Sequence, residues 1–338
     1  MRIATFDADT RQIRIEDAPM PVAGSGEIVI RVHRCGICGS DVSMTSGGAF
    51  NLKTGQFGHE YSGEIVETGP NVENLRAGDR VTIMPVVPCG ACEYCHQLGN
   101  PMLCYNSQGA MHGFSEYAVV PASGAVRLLE SLSFADGALV EPMACGLHAM
   151  QLASCGPGKR VLVLGGGAIA LSAIYWARQA GAHRIVVLSR SAHRSEMIMA
   201  MGADAIFSFD PDDQDRITES LGGVPDIVAE CVGKEGMLDV ALSHVRPAGS
   251  IVSMGMCMHR ETIIPAQATF KEARMIFPLG YTTDEFIATV RAFDADKLRP
   301  DRMVGRVIAL DQLPATLDVM RAGQVGTKIH VDPAMRLP

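Results

Sequence analysis

Aromatic side chains are scarce: Phe, Tyr and Trp make up 5% of the 338 residues, and tryptophan occurs once. The cores must therefore be filled by aliphatic and small residues, and glycine, at 35 positions, is correspondingly plentiful. Basic charge is short as well. Lys and Arg number 29 against 37 Asp and Glu, a net charge of −8 with no block of one sign, which excludes a dedicated nucleic-acid binder. No apolar run reaches the ~20 residues that a bilayer requires. The most apolar stretch, Val161 to Ala177, lies between Arg160 and Arg178 and is interrupted by three glycines, so no membrane partner is expected. The opening residues MRIATFDADTRQIRIED carry charge throughout and hold no apolar export segment, and the expected location is cytoplasmic. Cysteine is not scarce. Its ten positions in a long chain without an export signal read as metal ligands and buried thiols rather than as a disulfide scaffold.

With 47% hydrophobic residues the chain can fill about two domains of ordinary size. From Ile3 to about Val126 it runs in short apolar or alternating segments such as EIVIRVH, EYSGEIVETG and GDRVTIMP, divided by Gly, Pro and Asp turns, which is an all-β rhythm. From about Leu147 the rhythm becomes strand, turn, helix, strand, with apolar runs at VLVLG, RIVVLS, AIFSF, DIVAECVG, SIVSMG and MIFPLG. That alternation predicts an α/β unit built on a parallel sheet wrapped by helices. After Gly280 follow helix-like segments at 284–293 and 312–322 and a terminal strand, TKIHVD. This tail is too small to stand alone and is expected to complete the N-terminal domain. The expected division is 1–147 completed by 281–338, and 148–280.

The strongest local signal is Cys89-Gly-Ala-Cys92-Glu-Tyr-Cys95 with Cys104 beyond it, in a loop-like stretch. Four thiolates this close match a closed tetrahedral zinc site, which leaves no position for substrate and is structural in character. Unconnected buried thiols at this density in a cytoplasmic chain are improbable.

A second set is dispersed: Cys38 in CGICGSD, His59 and Glu60 in GHEYSGEIVETG, and Glu141 in LVEPMACGLHAM. One thiolate, one imidazole and one carboxylate would leave zinc an open position for water or substrate. Taken singly these residues are unremarkable, since a lone Cys is usually a small core hydrophobe and a lone Glu usually lies at the surface. Cys35 is assigned to packing. Asp41 fits a hydrogen-bonding partner for a ligand histidine, and an ordinary turn aspartate fits the same sequence context.

The third signal is Gly165-Gly166-Gly167-Ala168-Ile169-Ala170 between a strand and a helical run. The glycines permit a tight turn and the approach of a pyrophosphate to a helix N-terminus, and the required context of strand before and helix after is met. At the end of the next strand, where a carboxylate would hold a ribose 2′-hydroxyl, stand Ser189 and Arg190. Loss of the carboxylate and gain of a planar cation, with His193 near by in sequence, favour a 2′-phosphate and hence NADP(H) over NAD(H). Arg194 is less informative.

Together, GICGSD, GHEYSGEIVETGPNV with the later GDRV, the four-cysteine loop, VEPMACGLHA and the glycine turn resemble the zinc-dependent medium-chain dehydrogenases/reductases, especially the branch of sorbitol, threonine and butanediol dehydrogenases. The resemblance spans nearly the whole chain. It implies a GroES-like β-barrel catalytic domain, a Rossmann domain and an active site in the cleft between them. It implies two zinc ions: a catalytic one faced by Cys38, His59 and Glu141, with Glu60 a ligand or near-ligand, and a structural one held by Cys89, Cys92, Cys95 and Cys104. It implies Ser40 as proton relay and Ala168, Ile169, Cys231, Val232, Met254, Gly255 and Lys328 among the cofactor contacts. Apolar edge strands such as SIVSMGM would pair copies of the chain into a homodimer or homotetramer.

The chain departs from the pattern in three places. Eight residues separate Cys95 from Cys104 where seven are usual, Ser43 replaces a relay histidine, and the tyrosine near Met44 and arginine near Pro278 found in polyol-binding members are missing. The expected activity is therefore hydride transfer between NADP(H) and a mostly apolar secondary alcohol or ketone. The alternatives are a polyol or threonine dehydrogenase of the same family and, in another class, a non-catalytic NADPH-binding zinc protein.

Overall fold

The computed structural model describes residues 1–47, 52–190, 194–295, 300–323 and 328–336. The chain packs as two units, Met1–Glu141 with Thr282–Asp296 and Val304–Pro338, and Pro142–Tyr281 with Lys297–Met303. The first boundary falls not at 147 but in the first turn of the helix Val140–Leu152, because that helix is gripped from Pro142 onward. Ser172 Oγ donates to the Pro142 carbonyl at 3.2 Å and the Trp176 indole to the Met143 carbonyl at 2.6 Å. A Cβ on Gly146 would lie 1.9 Å from Ser172 Oγ, so the small residues of MACGLHA set how closely this helix meets Ala168–Gln179.

The first unit is mostly antiparallel sheet. Its main sheet runs in the order Ala125–Arg127, Arg80–Ile83, Glu60–Thr68, Glu27–Gly36, Lys328–Asp332, Val304–Ala309, and Tyr117–Pro121 also pairs with Glu27–Gly36. The strict alternation of buried and half-buried positions along YAVVP shows why a period-two sequence becomes a half-buried strand here. The terminal strand is inserted beside Glu27–Gly36, with His330 opposite Gly36 and Val331 opposite Cys35. Aliphatic residues from both ends of the chain share one core: Ile28, Ile30, Ile65 and Val81 pack with Leu310, Leu313 and Leu317. The same core holds the edge-to-face pair Phe57–Phe114, with centroids 4.9 Å apart.

The second unit holds six parallel strands in the order Ala205–Phe207, Arg184–Leu188, Arg160–Leu164, Ile227–Glu230, Ser250–Ser253, Arg274–Ile276. Numbered along this unit, the order is 3-2-1-4-5-6, the doubly wound arrangement of dinucleotide-binding sheets. RVLVL and RIVVL are buried almost end to end, as strands covered on both faces must be. Ser250–Ser253 is flanked on both sides, so SIVSMGM is not the edge; the edge strand on this side of the sheet is Arg274–Ile276, which adds one more parallel strand beyond it. Among the described residues no helix is long and apolar enough to cross a membrane.

Candidate functional site

The four cysteines of the loop converge. Their sulfurs lie within 4.8 Å of one another, with Cys92 3.3 Å from Cys95 and 3.8 Å from Cys104, and Cys89 3.8 Å from Cys95. A tetrahedron with zinc–sulfur bonds of ~2.3 Å has edges of about 3.8 Å, so the set is sized for zinc, and all four thiols are free of disulfides. Short local elements bring them together. Cys92 and Cys95 bracket the start of the helix Glu93–Leu98, Gly99 ends it in the left-handed region at φ 66°, and Asn100 caps the turn Pro101–Leu103 that delivers Cys104. The eight-residue spacer is thus absorbed by a helix, a left-handed glycine and a capped turn. Amide hydrogen bonds from Cys95 and Tyr105 pull the Cys92 thiol down to about 6, whereas burial and the neighbouring thiols push Cys95 up to about 11.

In the first unit Cys38, His59 and Glu60 also offer ligand atoms within 4.8 Å of one another. Cys38 is the N-cap of the helix Gly39–Ser46, and Asp41 closes a capping box by accepting the Cys38 amide at 2.9 Å. The other Asp41 oxygen stands 3.4 Å from His59 Nδ1, which directs Nε2 towards Ser40 Oγ at 3.3 Å. Burial opposes charge on His59, yet the Asp41 carboxylate and hydrogen bonds to Asp41 and Cys38 raise its pKa well above the ordinary value. Glu60 is completely buried and ion-paired with Lys328, whose ammonium also donates to the Ile37 carbonyl at 3.1 Å. Gly36 makes room for this pair: a Cβ there would lie 2.2 Å from Glu60 Oε2 and 3.0 Å from Lys328 Cε. Lys328, expected among the cofactor contacts, is carried by the terminal strand beside Gly36, where it pairs with Glu60 of the metal-ligand set. Burial disfavours its charge, but Glu60, Cys38 and Glu141 raise its pKa. Glu141 is in the first turn of Val140–Leu152, within electrostatic reach of Lys328 but outside the trio.

In the second unit Gly165 takes φ 112°, a conformation that favours glycine, and its amide donates to the Leu188 carbonyl at 2.8 Å. Gly166 is pressed against the following strand end, where a Cβ would meet Ser189 Oγ at 2.8 Å, and Gly167 is the N-cap of the twelve-residue helix Ala168–Gln179. Ala168 and Ile169 form its exposed-facing first turn, only partly buried. Ser189 is buried beneath the turn and Arg190 is exposed beside it, while His193 lies outside the described residues. Arg194 donates to the Gly166 carbonyl at 3.1 Å, so it braces the turn from its peptide. Cys231, Val232, Met254 and Gly255 sit on two adjoining loops at the C-terminal ends of strands, with Cys231 Sγ 3.9 Å from Met254 Sδ.

Two features escaped the sequence reading. The Glu60–Lys328 pair joins residues 268 positions apart, and no local pattern announces it. Glu230, embedded in the apolar run DIVAECVG, is a buried carboxylate at the base of both loops. Only its position as a charged residue inside an otherwise apolar strand could have marked it.

The doubly wound sheet, the β-rich unit and the two metal-ligand clusters are features of zinc-dependent dehydrogenases, and comparison with known proteins agrees. Residues 24–130 match the alcohol dehydrogenase GroES-like domain and residues 168–295 the zinc-binding dehydrogenase domain. The chain is 31% identical to (R,R)-butanediol dehydrogenase of Bacillus subtilis (strain 168) over 90% of its length and 91% of the relative's. It is 33% identical to sorbitol dehydrogenase of Gallus gallus over 77% of each. Among solved structures, 2R,3R-butanediol dehydrogenase from Bacillus subtilis superposes with a TM-score of 0.87 at 30% identity, covering 98% of this chain and 99% of that one. A zinc-binding dehydrogenase from Sinorhizobium meliloti 1021 bound to NADP gives 0.85 at 28% identity, covering 98% and 100%. The chain belongs to the zinc-dependent medium-chain dehydrogenase family and is an oxidoreductase of that family.

Proposed function

We propose that the protein interconverts a mostly apolar secondary alcohol and its ketone with NADP(H). The observation that carries this reading is the convergence of Cys38, His59 and Glu60 at the start of one helix, with Ser40 against the imidazole. Zinc, held by Cys38, His59 and Glu141, would supply Lewis-acid polarisation of the substrate oxygen, and the nicotinamide would supply the hydride acceptor or donor. The remaining work belongs to the chain. Asp41 beside Nδ1 fixes the ring orientation of His59, so that Nε2, once it gives up its proton, would offer its lone pair to the metal. Glu60 stays paired with Lys328, which keeps its negative charge balanced while the other donors are free to ligate. Ser40 carries the substrate proton away; Ser43 donates to the Gly39 carbonyl at 3.1 Å, so the onward route runs to solvent or to the cofactor ribose.

The NADP preference rests on Ser189 and Arg190 at the strand end where a carboxylate would repel a 2′-phosphate. A charge-assisted contact of about 1.5–3 kcal/mol corresponds to roughly ten- to hundredfold discrimination. Measured kcat/KM should favour NADP(H), and Ser189→Asp with Arg190→Leu should move the preference towards NAD; equal or better use of NAD by the unmodified enzyme refutes the assignment. The similarity to sorbitol dehydrogenases favours a second reading, polyol oxidation. A panel of secondary alcohols, ketones and polyols separates the two: the sequence has Met44 and Pro278 where polyol-binding relatives carry hydrogen-bonding groups, and each extra hydroxyl left without a partner costs roughly 1–3 kcal/mol. A second copy of the chain is the partner we assign to the edge strand Arg274–Ile276, beside which Phe270 and Phe277 are 87% and 65% exposed.

A further inference from the structure

We infer that Glu230 is a positioning residue for the nicotinamide cofactor, its one carboxylate fixing the spacing of the two loops that leave neighbouring strands of the parallel sheet. The inference rests on the cofactor reading above and assigns a role to a residue outside the glycine turn. Glu230 ends the strand Ile227–Glu230 and is 2% exposed. Its Oε1 accepts the amides of Val232 at 2.6 Å and Gly233 at 2.8 Å, curling its own loop back over the strand end. Its Oε2 accepts the Ser253 hydroxyl at 3.3 Å, and its main-chain carbonyl accepts the amides of Met254 at 2.7 Å and Gly255 at 2.9 Å. One residue therefore holds both loops.

The loops touch backbone to backbone. A Cβ on Gly255 would lie 2.2 Å from the Gly233 nitrogen, and one on Gly233 2.9 Å from the Gly255 carbonyl carbon, so glycine stands on each side of the contact. The Cys231 amide donates to the Leu164 carbonyl at 2.9 Å, which ties the first loop to the strand that leads into the glycine turn. Among the described residues the hydrogen-bond partners of the Glu230 side chain are two amides and one hydroxyl, with no cation. Burying a carboxylate on such terms is costly, and the return is geometric: two equivalent oxygens can grip two loops at once. Ligands of open parallel sheets bind beyond the C-terminal ends of the strands, where these loops lie. A clamp beneath them sets where their backbone meets the nicotinamide half of a dinucleotide.

Two substitutions separate reach from charge. Glu230→Asp keeps the charge and shortens the arm by one methylene; Glu230→Gln keeps the arm, with its oxygen for the two amides and its nitrogen for Ser253. NADPH binding is titrated by energy transfer from Trp176, the single tryptophan, and steady-state kinetics and thermal denaturation are run on the same proteins. Glu230→Asp is expected to raise the Kd and KM for NADPH about tenfold with kcat at saturation within about twofold, and Glu230→Gln to stay within about threefold of the unmodified Kd. An Asp variant that binds as the unmodified protein does, or a Gln variant as weak as Asp, overturns the inference alone. If Glu230→Asp does not fold, Ser253→Ala decides, with a Kd raised about threefold expected and an unchanged one overturning the clamp. An unmodified protein that binds neither NADPH nor NADH overturns the cofactor reading and the clamp with it.

Discussion

At the scale of single residues, the buried ion pair and the buried histidine of the terminal strand make separate demands. Removing Lys328 leaves the enclosed Glu60 carboxyl without its partner, and breaking a buried pair on one side costs about 3–5 kcal/mol. Lys328→Met should therefore lower the stability of the metal-free protein by that order in chemical denaturation, and adding Glu60→Gln should recover most of the loss; a double variant no better than the single one would show that the pair is not the cause. His330 is fully buried, and burial, with Lys328 and Arg34 adding to it, drives its pKa down to about 3. The unfolded chain takes up this proton near the ordinary ~6.5, so the contribution to stability is whole above that value and is lost as pH falls towards 3. His330→Gln should flatten the dependence of unfolding free energy on pH between 6.5 and 3. Parallel curves for the two proteins would contradict this. Neither residue stood out in the sequence for these roles, since each owes its environment to a strand partner hundreds of positions away.

At the scale of elements, the cysteine lobe and the ligand set at the start of Gly39–Ser46 should respond differently to parallel changes. Cys92→Ser should release one zinc ion by metal analysis and lower the melting temperature, whereas Cys38→Ser should abolish turnover with the fold retained. The same loss of fold in both would dissolve the distinction between a structural and a catalytic site. Gly146→Ala places a methyl group against Ser172 and should destabilise the helix pair by about 1–3 kcal/mol, read from denaturant midpoints. Elements were the most legible level of the sequence. The apolar runs VLVLG, RIVVLS and DIVAECVG became parallel strands in place, and the four closely spaced cysteines became one cluster, because both signals are local. The helix Val140–Leu152 was less so: its allegiance is settled by carbonyls accepting from Ser172 and Trp176, contacts that no periodicity contains. Likewise the interior place of SIVSMG in its sheet is set by Arg274–Ile276 pairing beside it, which its own residues do not announce.

At the scale of the whole molecule, the family anchors made the two-domain plan and most of the candidate site readable, since zinc ligation and pyrophosphate binding demand fixed residue types at short spacings. What stayed hidden was everything that depends on chain ends meeting, above all the placement of Lys328. If the edge strand Arg274–Ile276 pairs copies of the chain, Phe270→Asp should shift the mass measured by light scattering to that of a smaller species, and an unchanged mass would exclude this edge. The insertion of Lys328–Asp332 beside Glu27–Gly36 also has a consequence in time. A ribosome adding about 5–20 residues per second needs roughly 15–60 seconds to travel from Gly36 to Lys328. Throughout that interval the nascent first unit has an unfilled place in its main sheet and a glutamate without its cation, while the sheet of the second unit is already complete in sequence. The unit that comes first off the ribosome is thus the last able to finish folding, and Glu60 of its metal-ligand set gains its cation only when that strand arrives.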